Sequence, residues 1–293
     1  MKGAMAVAAL IAIVALGVAI AVTSPPRLLS LFDAAAGGGA GTEQTGSAIA
    51  FGEHGQRLDV WAPDRGSETP RPVVVFFHGG GWVKGDREAY AFAGRAFARK
   101  GFLVVVPDYR KVPDVRFPAF IEDGADAVRW THDNIARFGG DPERIALVGH
   151  SAGAHTAVTL ALDPRWLQAA NVAPGTVKAA IGLSGPYDFY PFDKKRSIDA
   201  MSRWPQPRDT QPIAFARADA PPLLVATSSE DDVVRPYNAI NLAERLREVG
   251  APVEFENYRG LGHEDVVMAL SKPFRDKAPV LDRSAAFLEE ALR

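Results

Sequence analysis

The sequence predicts an α/β fold, a mostly parallel central sheet with helices on both faces. Three observations carry that expectation. Short runs rich in β-branched residues alternate along the chain with longer stretches at helical spacing, the order expected when each crossover returns to a parallel strand. Runs such as Val73–Phe77, Phe102–Val106 and Ile145–Val148 are continuously apolar, which suits strands buried on both faces. The 293 residues are 47% hydrophobic and 23% charged, enough apolar side chain to build a large core and too much for a disordered chain. The formal net charge of -2 lacks the basic excess of a nucleic-acid-binding surface. There is no cysteine, which excludes disulfides, thiolate nucleophiles, Cys-ligated zinc and iron–sulfur clusters.

From the N-terminus, Gly3 to Val22 carry no charged or strongly polar side chain, with Lys2 before them and Thr23-Ser24-Pro25-Pro26-Arg27 after. Twenty such residues in a helix span roughly 30 Å, the thickness of a bilayer's hydrocarbon. Residues 1–27 therefore read as a membrane anchor or a signal peptide, with Ala19-Ile20-Ala21 or Ala34-Ala35-Ala36 as small-residue cleavage sites. Either reading places the folded part outside the cytoplasm: anchored in the inner membrane facing the periplasm, or periplasmic or secreted after cleavage. Membrane contact through residues 3–22 is expected if the segment stays uncleaved. Residues 28–47 end in a Gly/Ala-rich stretch with almost no large apolar side chain and read as a flexible linker.

Residues 48–293 form the expected α/β domain. Ala48–Phe51 and Arg57–Trp61 read as a leading pair of strands, and Ala179–Leu183, Leu223–Ala226 and Val253–Tyr258 complete the sheet. Helices are predicted at Arg87–Arg99, Ile121–Phe138, Ala152–Leu162, Tyr237–Val249 and Pro279–Leu292. In the fourth of these, Ile240, Leu242, Ala243 and Leu246 make an apolar stripe, and Gly250 stands where a C-terminal cap belongs. Asp188–Asp219, rich in Pro, Asp and Arg, reads as a long irregular connection, either a substrate-facing loop or a surface excursion.

The most specific local signal is Gly149-His150-Ser151-Ala152-Gly153, placed between a predicted strand and a predicted helix. That is the setting of a G-x-S-x-G nucleophile elbow. The turn must be tight enough to expose the serine hydroxyl, and side chains at the flanking glycines would collide with the neighbouring strand and helix. A serine nucleophile needs a base, and the base an orienting carboxylate, in the order Ser, Asp/Glu, His. Of six histidines, only His263 follows Ser151 on a separate loop, Gly260-Leu261-Gly262-His263-Glu264. The acid is expected after Leu223–Ala226, where Glu230, Asp231 and Asp232 crowd together; Asp231 is the choice and Asp232 the runner-up. Finally, His78-Gly79-Gly80-Gly81-Trp82 follows the strand Val73–Phe77. Gly80 and Gly81, with Ala152, are the expected backbone donors to an oxyanion, and His78 a structural hydrogen-bonder of that loop.

Together these elements resemble the α/β-hydrolase superfamily, and within it carboxylesterases of the HGGG(W) type: isoprenylcysteine methylesterase-like proteins, bacterial feruloyl/acetyl esterases and hormone-sensitive-lipase-like esterases. Val106-Pro107-Asp108-Tyr109-Arg110, Phe138-Gly139-Gly140-Asp141-Pro142 and Ser184-Gly185-Pro186-Tyr187-Asp188 add to the likeness, which covers roughly residues 55–292. It implies an α/β-hydrolase fold and a serine carboxylesterase acting through an acyl-enzyme on small to medium esters. The implied site is Ser151, Asp231 and His263, with Gly80, Gly81 and Ala152 as oxyanion donors and Asp108 and Tyr109 in structural roles. No metal and no cofactor are implied, the partner being a small-molecule ester substrate and no nucleic acid. An arylformamidase-type amide hydrolase is the alternative, and a non-catalytic binding protein on the same scaffold is the lesser one. The helical cap that hormone-sensitive-lipase-like esterases place before the HGGG motif is missing, so the cap is expected to be reduced and the cleft open.

Overall fold

The structure, a computed structural model, describes residues 24–293. Eight strands form one sheet in the order β1-β2-β4-β3-β5-β6-β7-β8. They are β1 (Thr42–Phe51), β2 (Gln56–Pro63), β3 (Arg71–Phe77), β4 (Leu103–Pro107), β5 (Gly140–His150), β6 (Val177–Leu183), β7 (Leu223–Ser228) and β8 (Val253–Tyr258). Strands β1, β2 and β4 pair antiparallel in turn, and the remaining pairs are parallel.

The apolar runs divide by parity. Val73, Val75 and Phe77 of β3, with Leu103 and Val105 of β4, point to one core; Val74, Phe76, Val104 and Val106 point to the other. A strand's side chains alternate faces, so an unbroken apolar run supplies both layers. On the first face pack α3 (Ala119–Asn134), α4 (Ala152–Leu162) and α7 (Tyr237–Glu248); on the second, α2 (Ala91–Arg99) and α9 (Val280–Ala291). The short helices α5 (Pro164–Ala169), α6 (Lys195–Met201) and α8 (His263–Met268) sit in connections. Helix α7 ends where Gly250 turns left-handed, with φ +80°.

The expected linker is the main correction. Residues 28–47 do not form a tether: Pro25–Ala35 is a helix, α1, and β1 begins at Thr42. The helix is held mainly by polar anchors, with Leu29 packed against the core beside them. Ser30 and Asp33 are buried, Asp33 paired to Arg95 at 2.8 Å and accepting the Lys272 N–H at 2.8 Å. Composition could not reveal this, because the partners lie 62 and 239 residues away. One local signal was present: Ser24-Pro25-Pro26, since proline suits the first helical turn. Ala34-Ala35-Ala36 falls at the end of this docked helix. The run 3–22 and the Ala19-Ile20-Ala21 site lie outside the described residues. No helix among the described residues is long and apolar enough to cross a membrane.

Candidate active site

The elbow is built by contiguous residues. Ser151 sits between β5 and α4 with φ 56° and ψ -120°, a conformation that side chains rarely adopt and that costs of order 1–3 kcal/mol. The flanking glycines are sterically required. A Cβ at Gly149 would lie 2.2 Å from the Gly153 carbonyl oxygen, and one at Gly153 would lie 2.1 Å from that of Phe77. The Ser151 N–H donates to the Leu183 carbonyl of β6, which fixes the turn to the neighbouring strand.

The hydroxyl so exposed meets the expected histidine. Ser151 Oγ is 2.9 Å from His263 Nε2, and His263 Nδ1 is 2.8 Å from Asp231 Oδ2. All three side chains are buried. The carboxylate accepts the proton on Nδ1, which leaves Nε2 with its lone pair toward the serine. Asp231 Oδ1 accepts the N–H groups of Val233 and Val234, at 3.0 and 2.7 Å. Asp232, the runner-up, is exposed and turned toward the cleft rather than the imidazole.

Parallel pairing of β7 with β8 brings the acid and base loops together at the carboxyl edge of the sheet. Ser228 Oγ donates to the Gly262 carbonyl, Ser229 Oγ accepts the Gly260 N–H, and the Glu230 N–H donates to Leu261. Ser228 and Ser229 thus lace the loop of Asp231 to the loop of His263.

Beside Ser151, the HGGGW segment leaves β3. The backbone turns through φ +134° at Gly80, +62° at Gly81 and +63° at Trp82. A Cβ at Gly80 would lie 2.0 Å from the Lys84 carbonyl oxygen, so only glycine fits. The N–H groups of Gly80 and Gly81 have no protein acceptor among the described residues. Gly81 and Ala152 line the cleft with Ser151; Gly80 stands one residue behind. Trp82 is buried, its ring 5.9 Å from Phe189 and 5.4 Å from His155. The cleft holds about 220 Å3 and takes its far wall from Phe189, Asp193, Lys194 and Arg196, so the irregular connection 188–219 faces it. Sequence reasoning left Asp188–Asp219 undivided. The signal that marks it is the aromatic pair Phe189 and Trp204, both packed against the core.

Three other histidines are structural. His78 is buried against Tyr109, ring centroids 4.2 Å apart; its Nδ1–H donates to the Gly79 carbonyl, and the Tyr109 hydroxyl donates to the His78 carbonyl. Asp108 accepts from Arg87, which also reaches Asp59. His150 donates from Nε2 to the His263 carbonyl and accepts from Tyr90, steadying the backbone of the loop that carries the base. His155 donates from Nε2 to the Thr210 carbonyl at 2.8 Å, tying α4 to the 188–219 connection.

Burial holds these rings neutral. It pulls His78 down to about 4, with Lys111 helping, and His155 down to about 4, partly opposed by the Thr210 carbonyl. It pushes His150 well below the ordinary value of 6.5, with His263 adding to the effect. The unfolded chain takes up these protons near pH 6.5, whereas His78 and His155 in the folded state wait until about pH 4. Stability is therefore complete above the upper value and falls as pH drops through that window. Denaturant unfolding at pH 7 and pH 5 tests this. His155→Gln keeps a donor for Thr210 and removes one proton, so the dependence should flatten by roughly 1.4 kcal/mol per pH unit. An unchanged slope would contradict the assignment.

Among the described residues, no group of three or more His, Asp or Glu side chains is placed to hold a metal ion.

A parallel sheet carrying a serine at a strained strand–helix turn, with an imidazole and a carboxylate in line, defines an α/β-hydrolase fold. The family model described as BD-FAE matches residues 58–246, and the chain belongs to that family. It is 34% identical over 228 residues to the esterase LipC of Mycobacterium tuberculosis, covering 71% of this chain and 56% of that protein. It is 28% identical over 251 residues to the isoprenylcysteine α-carbonyl methylesterase ICME of Arabidopsis thaliana, covering 78% and 58%. The chain thus spans little more than half the length of these curated relatives. Among solved structures, the carboxylesterase EstE1 from a metagenomic library superposes with a TM-score of 0.75 at 22% identity, over 92% of this chain and 94% of that one. An esterase of Pyrobaculum calidifontis superposes at 0.72 and 24%, over 92% of each chain. These two structures share the fold.

Proposed function

We propose that the protein is a serine carboxylesterase that hydrolyses small to medium carboxylic esters through an acyl-enzyme. The observation that carries this reading is the unbroken relay of hydrogen bonds from Asp231 through His263 to Ser151, ending in the cleft. The likeness to LipC and ICME, both named esterases, supports the same reading.

In the proposed reaction Ser151 Oγ attacks the ester carbonyl while its proton passes to His263 Nε2. Asp231 holds the ring and stabilises its positive charge. The carbonyl oxygen becomes an oxyanion facing the N–H groups of Gly81, Ala152 and Gly80, donors already fixed in place when charge develops. Ala152 is also the first residue of α4, whose N-terminal dipole favours that charge. The C–O bond breaks, and the alcohol leaves with the proton from His263. Water then attacks the acyl-enzyme, giving a proton to His263, which returns it to Ser151 as the acid departs. Each step moves one proton over one hydrogen bond.

The connection 188–219 walls one side of a cleft of about 220 Å3, a volume that supports modest acyl groups. A fluorophosphonate probe should label Ser151, and p-nitrophenyl esters from acetyl upward should be turned over with a preference for the shorter chains. Formylkynurenine is the comparison substrate. Faster turnover of that amide than of the esters would replace this reading with an arylformamidase, and absence of labelling would remove the enzyme reading altogether.

A further inference from the structure

Helix α1 docks mainly through polar side chains and leaves two large apolar ones exposed at its C-terminal end. Its polar side chains face the protein: Ser30 Oγ donates to the Ala89 carbonyl and accepts the Phe92 N–H, and Asp33 pairs with Arg95, which also reaches the Ser30 carbonyl. Of its large apolar side chains, Leu28 and Leu29 are half-buried, Leu29 against the core, whereas the last two face outward. Leu31 is 65% exposed and Phe32 54%, the two highest values for large hydrophobic residues among those described. A surface helix normally does the reverse. The helix cannot roll to hide these side chains, because doing so would strand the buried charges of Asp33 and Arg95.

The patch continues past the helix. Phe32 meets Phe274 edge-on with ring centroids 6.1 Å apart, and Phe274 belongs to the turn Lys272–Lys277. That turn carries Lys272, which is exposed, Lys277, and Arg275, which is half-buried and donates to the Leu270 carbonyl, against the single carboxylate of Asp276. Lys277 is paired with Asp265.

What precedes α1 points to the partner. The apolar run ends at Val22, three residues before Pro25. Three peptide steps reach at most ~11 Å. If that run lies in a bilayer, the first turn of α1 emerges at its surface, with exposed leucine and phenylalanine beside basic side chains. Apolar side chains at the acyl boundary with cations at the headgroups is how helices rest on anionic membranes.

We propose that the face formed by Leu31, Phe32, Phe274 and Lys272 rests on an anionic lipid bilayer, Leu31 and Phe32 entering the boundary between headgroups and acyl chains. The folded domain is then seated on the membrane in one orientation rather than tethered at a distance. This inference is independent of the chemistry proposed at Ser151.

The absence of cysteine makes the test direct. The full chain with Phe32→Cys, carrying an NBD label, is reconstituted in vesicles of phosphatidylethanolamine and phosphatidylglycerol. Ser67→Cys, at an exposed position in the connection between β2 and β3, is the comparison. The label at position 32 should shift its emission to the blue and be quenched by doxyl-labelled lipid, and the label at 67 should do neither. Two outcomes overturn the proposal. One is a vesicle-bound protein whose label at 32 stays as solvent-exposed as that at 67. The other is a label at 32 already shielded before vesicles are added, which would mean that residues 3–22 or a second copy cover the face. Ester turnover measured on the same samples reports separately on the catalytic reading.

Discussion

Ser151→Ala should lower kcat for short acyl esters by about 10^5- to 10^6-fold, the loss seen when a serine nucleophile is removed from a relay that acts as a unit. The residual rate would come from the backbone donors and from binding alone, roughly 10^3-fold over water. The fold should survive. The serine hydroxyl makes one side-chain hydrogen bond, to His263, and the strained turn is held by glycines 149 and 153 and by the Ser151 N–H on Leu183. Far-ultraviolet circular dichroism and the unfolding midpoint should stay close to those of the unsubstituted protein. A folded Ser151→Ala variant with full turnover would show that the nucleophile is elsewhere.

The second large effect separates two adjacent carboxylates. Asp231→Asn should lower kcat by about 10^4-fold, because an amide facing Nδ1 favours the tautomer that points a proton, not a lone pair, at the serine. The one oxygen of the amide would still accept from Val233 and Val234, so the loop should keep its shape. Asp232→Asn changes an exposed side chain with no bond to the imidazole, and kcat should stay near its starting value. The pair is read by steady-state kinetics on one ester at one pH. A larger loss at 232 than at 231 would transfer the orienting role to Asp232.

The sequence left that choice open for a physical reason. Three acids in a row carry the same chemistry, and which of them turns inward depends on how the loop after β7 is laced to the loop after β8. Ser228 and Ser229 make that lacing, and nothing in their own neighbourhood announces it. The elbow is the opposite case. Its geometry follows from steric exclusion among five consecutive residues, so Gly149 to Gly153 could be placed before any tertiary contact was known. The glycines after His78 lie between: the residue types announce a tight turn, while the standing of Gly81 at the cleft and Gly80 behind it depends on the packing of Lys84 and Arg196.

Strands and long helices were legible for a related reason. Apolar runs at period two and stripes at period 3.6 are local records of which faces are buried, so every strand from β3 to β8 was anticipated, with ends shifted by a few residues. Helix α1 left no such record, because it docks chiefly through Ser30 and Asp33 and presents Leu31 and Phe32 outward. Periodicity reads burial of hydrocarbon and cannot see an anchor made of hydrogen bonds and one ion pair to residues 62 and 239 positions away. Residue order alone thus pointed to the α/β class, the tight turn at Ser151 and the loop of His263. The folded chain was needed to select Asp231, to close the cleft with the 188–219 connection and to dock α1. Each of those rests on groups distant in sequence meeting in space, and that meeting is fixed by the register of the sheet rather than by any local pattern.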